Sequence, residues 1–186
     1  MLNFMKRVAV WNSKRYEQEF HKDLFLQLMR EEHREWRKEL APVDKLDALC
    51  DMIYVAFGAT WKAKVDLAEL NDAMEHARNV LHNLIECTEL WPGYFVPTYL
   101  DVFEDSEEYP LATTVALIVT TCMTEMRGMG LTLEQCMKCL NIVADSNDSK
   151  TIEKLAANSK GFNDGKGPYF TTPEPRLQAV LNERLN

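Results

Sequence analysis

Two groups of acidic residues in the N-terminal third of the chain have the types and the spacing needed for metal chemistry. Glu31 and Glu32 precede Glu35 by four and three residues, and Asp47 and Asp51 are separated by one helical turn. If both segments are helical and adjacent, each directs its carboxylates toward the other. The pattern therefore predicts an inward-facing set of opposed acids.

Carboxylates buried together in this way require a compensating positive charge. Each isolated ion resists desolvation, and close like charges raise one another's pKa values. Hard oxygen ligands suit Mg²⁺, which keeps several waters and usually shares its coordination shell with substrate phosphates. We therefore expect a site that binds Mg²⁺, or Mn²⁺, and processes a phosphate compound.

A solvated helix surface is the alternative interpretation of the glutamates. Basic residues occur at helical spacings from them and are able to pair with them on one exposed face, namely Arg30, Arg34, Arg37 and Lys38. Asp47 and Asp51 fit that interpretation poorly, because they lie within the apolar segment LDALCDMIYVAF. This second pair favours the metal site.

Two predicted helices must position these acids. The first begins at Asn12 or Ser13 and runs to about Leu40, where Pro42 stops it; its apolar positions are Tyr16, Phe20, Leu24 and Leu28. The second runs from Val43 to about Lys64. The short connection between them predicts an antiparallel helix hairpin.

The rest of the chain predicts further helices and no credible pair of strands. Helices are expected from an Asp66 cap to about Cys87, from Leu111 to about Arg127, and from a Thr132–Gln135 capping box to about Asp145. Residues 88–110 are expected to form an irregular insertion, and a loop-rich segment leads to a short final helix from about Arg176. We expect one all-α domain over residues 1–186, a bundle of about five main helices.

Composition narrows the range of partners. The formal net charge of -8 repels nucleic-acid phosphates, so duplex nucleic acid is not expected as a partner. The N-terminus has no sustained apolar run, so neither a signal peptide nor a membrane span is expected.

The five cysteines are odd in number and mostly lie among apolar residues, which indicates reduced, buried thiols and a cytoplasmic protein. The lone CxxC of Cys136 and Cys139 is interpreted as core.

Four segments together resemble the MazG-type all-α nucleoside triphosphate pyrophosphohydrolases, a family that includes dimeric dUTPases and phosphoribosyl-ATP pyrophosphohydrolase. LMREEHREW resembles the ExxE helix of the family, and LDALCDMIYVAFG resembles its second metal-binding helix. VADSNDSK resembles the segment that reaches the nucleotide phosphates, and GKGPYFTTPEPRL resembles a closing segment seen in bacteriophage members. The stretch from about Val65 to Thr132 is longer than a minimal member needs, which indicates an insertion.

The resemblance implies roles for individual residues. It implies metal ligands at Glu32, Glu35, Asp47 and Asp51, and catalytic roles for Glu32, Glu35, Asp51 and Lys150. It implies substrate contacts at Asn147, Lys150, Lys166 and Tyr169. The second element of the family is usually ExxD, whereas Ala48 stands three residues before Asp51, so Asp47 is the substitute for the missing acid.

The implied reaction is Mg²⁺-dependent hydrolysis of a nucleoside triphosphate to the monophosphate and pyrophosphate by a homodimer or a dimer of dimers. One alternative is an enzyme of the same family that acts on phosphoribosyl-ATP or a modified nucleotide. The other is a non-catalytic helical dimer that binds a nucleotide or a protein. An interaction module has no physical need for unpaired inward acids, which favours an enzyme.

Overall fold

The chain folds as a bundle of helices. The computed structural model describes residues 1–85, 92–106, 108–151 and 166–183. These residues form eight helices and no strand, which confirms the all-α prediction. The helices are α1 (Leu2–Ser13), α2 (Lys22–Lys38), α3 (Pro42–Lys62), α4 (Leu67–Ile85), α5 (Pro92–Asp105), α6 (Leu111–Gly128), α7 (Leu133–Asp148) and α8 (Glu174–Glu183).

Helix α3 lies at the centre of the bundle and contacts α1, α2, α6, α7 and α8. Pro42 occupies its first turn, where a missing backbone N–H breaks no hydrogen bond. Its interior is apolar on most sides, and Leu49, Ile53 and Phe57 are almost completely buried. Helices α2 and α3 pack against each other across a short connection, as the hairpin prediction required.

The predicted first helix, from Asn12 or Ser13 to Leu40, is wrong in extent. The chain instead forms α1 and α2, joined by the non-helical residues 14–21. Asn12 and Ser13 are the last residues of α1 and do not cap the start of the following helix. Tertiary contacts hold this connection in place. Gln18 Nε2 donates to the Trp61 carbonyl at 2.8 Å, and the Phe20 ring packs against the Phe25 ring at 6.0 Å.

The segment 88–110 was expected to be irregular, but most of it forms α5. Val96, Leu100 and Phe103 recur at helical spacing and are buried, so burial of this face sustains the helix despite Pro97. Whether this segment is an insertion stays a prediction. Cys87, Trp91 and residues 161–165 of the predicted loop lie outside the described residues.

Three predicted helices are confirmed, and two of them begin at the predicted caps. Asp66 Oδ1 accepts a hydrogen bond from the Ala68 backbone N–H at 2.8 Å at the start of α4. The Thr132–Gln135 capping box opens α7, with both of its hydrogen bonds present. Helix α6 matches its predicted range, and α7 continues three residues beyond the predicted end, to Asp148.

The described cysteine side chains are all buried, as predicted, and none forms a disulfide. They are Cys50, Cys122, Cys136 and Cys139. Burial raises the pKa of the Cys122 thiol well above its usual value, which keeps it protonated. Among the described residues, no helix combines the length and the apolar character needed to cross a membrane.

Candidate functional site

The α2–α3 hairpin brings the four predicted metal ligands, Glu32, Glu35, Asp47 and Asp51, close enough to influence one another electrostatically. We call these four residues the acid cluster. Burial and, less strongly, the charges of the neighbouring acids together raise the pKa of the Glu32 carboxyl to about 9. In decreasing order of effect these are Asp51, Glu35, Glu31 and Asp47. The charges of the cluster therefore repel one another in a poorly solvated place.

The two aspartates of α3 are perturbed in the same direction. Burial and, less strongly, the charge of Asp51 together raise the pKa of Asp47 to about 8. Asp47 Oδ1 is inaccessible to solvent and accepts no hydrogen bond from the described residues. Burial also raises the pKa of Asp51, but only to about 6, because the positive charges of Lys150 and Lys166 act against it.

The basic residues expected to neutralise the glutamates are partly engaged elsewhere. Arg30 donates to Asp101 at 3.0 Å and to Glu104 at 2.6 Å, both on α5. Arg34 Nε donates to the backbone carbonyl of Arg30. These contacts weaken the solvated-face interpretation, because Arg30 pairs across to another helix.

Glu174, at the start of α8, is an acid of this site that the sequence did not reveal. Its charge raises the pKa values of Asp47 and Asp51, and its Oε2 is buried with no hydrogen-bond donor among the described residues. Tertiary contacts bring α8 here. Arg176 forms a 2.7 Å ion pair with Asp145 of α7. No local pattern distinguishes Glu174, which lies between two prolines in a segment that was interpreted as a loop.

Lys150 follows the last turn of α7 and is held from two sides. Its backbone N–H donates to the Asn147 carbonyl at 3.1 Å, and its own carbonyl accepts from Arg15 Nη2 at 2.8 Å. The Arg15 guanidinium in turn lies 4.4 Å from the centre of the Trp11 ring. Arg15 was not among the predicted site residues, because no sequence pattern distinguishes it from an ordinary surface arginine.

A cavity of about 480 Å³ adjoins the acid cluster, and we call it the aromatic cavity. Glu32, Asp51 and Lys150 lie on its wall, together with Glu31 and Asn147. The remaining wall is mostly apolar and aromatic, with Trp11, Tyr16, Phe20, Leu24, Phe25, Leu28, Tyr54 and Val55. Its volume falls in the usual range for small-molecule sites, and its lining combines apolar surface with a few convergent polar groups.

The aromatic side chains of the cavity are fixed against one another. The Trp11 ring meets the Tyr54 ring edge-on at 5.7 Å and the Tyr16 ring at 5.8 Å. Trp11 Nε1 donates to the Asn147 carbonyl at 2.7 Å, which couples the indole to the end of α7. Leu24 and Leu28, predicted as core positions of the first helix, belong to the cavity wall.

The other predicted site residues occupy different positions. Asn147 is buried in the last turn of α7 and lines the cavity. Lys166 acts electrostatically on Asp51, and its Nζ lies 5.3 Å from the Phe170 ring centre. Tyr169 is 88% exposed and is not part of the cavity wall, so the structure does not bring it to the site.

The donors of the acid cluster fit a hydrated divalent cation better than a fully protein-bound ion. No group of three or more His, Cys, Asp or Glu side chains within the described ranges is arranged to hold a metal ion. The cluster nevertheless offers only carboxylate oxygens, and the buried oxygen of Asp47 has no donor there. Mg²⁺ is commonly bound by one or two carboxylates plus waters and phosphate oxygens. If the site takes Mg²⁺, carboxylates among Glu32, Glu35, Asp47 and Asp51 would supply its protein ligands, and water and phosphate oxygens would complete its coordination shell.

Comparison with known proteins adds no further constraint on this site. No family model, curated protein or solved structure matches the chain.

Proposed function

We propose that the protein hydrolyses a nucleoside triphosphate to the monophosphate and pyrophosphate in the presence of Mg²⁺, as a member of the MazG-type pyrophosphohydrolases. The observation that carries this proposal is the shared wall between the acid cluster and the aromatic cavity. Glu32, Asp51 and Lys150 belong to that wall. A ligand that places an aromatic base in the cavity would present its phosphates to a site of carboxylates and lysines.

The carboxylates have the first role in this chemistry. With raised pKa values, Glu32 and Asp47 retain protons at neutral pH until a cation offsets their repulsion, whereas Asp51 is largely ionised. A bound Mg²⁺ supplies neutralisation of phosphate charge and orientation of the attacking water. The water oxygen bonds to the α-phosphorus, and a carboxylate of the cluster that is not coordinated takes the proton.

The lysines have the second role. The bond from the α-phosphorus to the oxygen that bridges to the β-phosphorus breaks, and the electron pair leaves with pyrophosphate. Lys150 and Lys166 lie close enough to Asp51 for their positive charges to lower its pKa, so they bring positive charge to this position. They stabilise the charge that develops on the leaving group. Arg15 positions Lys150 through its hydrogen bond to the Lys150 carbonyl.

A panel of ribonucleoside and deoxyribonucleoside triphosphates, with phosphoribosyl-ATP as an additional substrate, tests the proposal. Each is incubated with Mg²⁺ or Mn²⁺, and the products are separated by chromatography. We expect monophosphate and pyrophosphate in equal amounts from at least one compound. Nucleotide binding without turnover would favour the non-catalytic alternative, and diphosphate with inorganic phosphate would contradict attack at the α-phosphorus.

We also propose a homodimer or a dimer of dimers in the cytoplasm. The resemblance supports the assembly, and α1 exposes apolar side chains such as Val10 that a second copy is able to cover. The buried thiols suit a reducing compartment. Light scattering at micromolar concentration tests the assembly, and a monomer would contradict it.

A further inference from the structure

Asn12 places a fixed hydrogen-bond acceptor in the wall of the aromatic cavity. The side chain is 5% exposed and lies in the last turn of α1. Its Nδ2 donates to the Val8 carbonyl at 2.9 Å. Because a carbonyl accepts only from a donor, this bond fixes which end of the amide faces the helix. Asn12 Oδ1 consequently faces away from that carbonyl.

Asn12 Oδ1 accepts no hydrogen bond from the described part of the chain, and the residue lines the cavity. This oxygen is not among the fully buried, unpartnered polar atoms of the described residues, so it is accessible from the cavity and available to accept a hydrogen bond there. A ligand in the cavity with an N–H group would satisfy this oxygen.

Gly58 has no side chain, and this leaves room for the Asn12 amide. A Cβ atom on Gly58 would lie 3.3 Å from Asn12 Nδ2 and 3.6 Å from Asn12 Oδ1. Gly58 lies inside α3, where glycine stabilises a helix less than alanine does. The close approach of α1 to α3 accounts for a glycine at this position.

We propose that Asn12 selects the ligand of the aromatic cavity by accepting a hydrogen bond from an N–H donor on the edge of a planar heteroaromatic base. This inference rests on the proposed function, because it assigns the base-binding part of the same site. Contact with the aromatic rings discriminates little between bases. A hydrogen bond to Asn12 Oδ1, in contrast, distinguishes a base whose edge carries a donor from one whose edge carries an acceptor. Asn12 is therefore a specificity-determining residue.

The experiment measures binding rather than turnover. The α,β-imido analogues of ATP, CTP, GTP and UTP are titrated by calorimetry, with Mg²⁺, into the wild type and Asn12→Leu. Asn141→Leu is the matched control, because Asn141 Nδ2 makes the same bond to a carbonyl four residues earlier, outside the cavity. We expect the wild type to prefer at least one base. Asn12→Leu should weaken that complex by about tenfold or more and reduce the preference, and Asn141→Leu should do neither.

Gly58→Ala is a second variant that keeps Asn12. The added methyl group forces the Asn12 amide to shift by a few tenths of an ångström, so affinity for the preferred base should fall severalfold in a protein that still folds cooperatively. This combination separates a binding role from a folding role. A folded Asn12→Leu protein with wild-type affinity and base preference would overturn the inference, as would a wild type that binds none of the four analogues or all equally. Asn12-dependent binding without hydrolysis would overturn only the proposed function.

Discussion

Replacing Asp51 with asparagine should stabilise the metal-free protein, and the gain should grow with pH. Burial raises the pKa of this carboxyl to about 6 in the folded protein, and the charges of Glu35 and Glu174 contribute, while Lys150 and Lys166 oppose the rise. The unfolded chain releases the proton near the ordinary value of 3.8. The folded state therefore holds this proton more tightly, and stability is lost as the pH rises from about 4 to about 6.

The size of the effect follows from the difference between the two pKa values. Roughly two pKa units correspond to about 3 kcal/mol, which is the full cost of the ionised Asp51 well above pH 6. About half of that cost is already present at pH 5. Asp51→Asn removes the charge and keeps the volume, so its gain in unfolding free energy should be about 3 kcal/mol at pH 8 and about 1.5 kcal/mol at pH 5.

Urea unfolding in EDTA at the two pH values measures this gain. Asp72→Asn is the matched control, since it makes the same chemical change at an exposed position of α4 and should give no pH-dependent gain. An Asp51→Asn protein that is less stable than the wild type at pH 8 would refute the reasoning. An equal gain at both pH values would refute it too.

Three further outcomes are expected. Saturating Mg²⁺ should raise the melting temperature of the wild type, and more at pH 8 than at pH 5, because ligand carboxylates must be deprotonated; an unchanged temperature in a thermal scan speaks against the metal site. Asp47→Asn should cut turnover by orders of magnitude, and Ala48→Glu should restore it in that background; wild-type turnover of Asp47→Asn would remove Asp47 from the site. In a Cys87→Ser background, a thiol reagent should react only after unfolding, and rapid labelling of the native protein would contradict the buried positions of Cys50, Cys122, Cys136 and Cys139.

The sequence predicted those helices whose apolar pattern and caps agree. Helices α3, α4, α6 and α7 bury one or more faces at helical spacing, and Asp66 and Thr132 mark two of their starts. The break between α1 and α2 carried no local signal, because residues 14–21 contain neither glycine nor proline. Packing against α3 and α5 determines that break, and such contacts join residues far apart in the chain.

The candidate site was predictable where it lies within one helix hairpin. Glu32, Glu35, Asp47 and Asp51 come from adjacent segments, so helical spacing alone was enough to place them together. Glu174 and Arg15 come from opposite ends of the chain. Packing of α8 against α3 and α7 brings Glu174 to the acid cluster, and the hydrogen bond from Arg15 to the Lys150 carbonyl joins the segment after α1 to the end of α7. The aromatic cavity was not predicted, because the residues that line it have the same apolar helical spacing as residues that pack in the core.

In the proposed function, the acid cluster holds the Mg²⁺ that supports hydrolysis at the α-phosphorus. The decisive measurement is the rate of pyrophosphate release from the preferred nucleoside triphosphate, with Mg²⁺, for the wild type, Asp51→Asn and the Asp72→Asn control. We predict release by the wild type and by the control, and a rate lower by orders of magnitude for a folded Asp51→Asn protein. Pyrophosphate release by Asp51→Asn at the wild-type rate would show that Asp51 does not hold the catalytic metal.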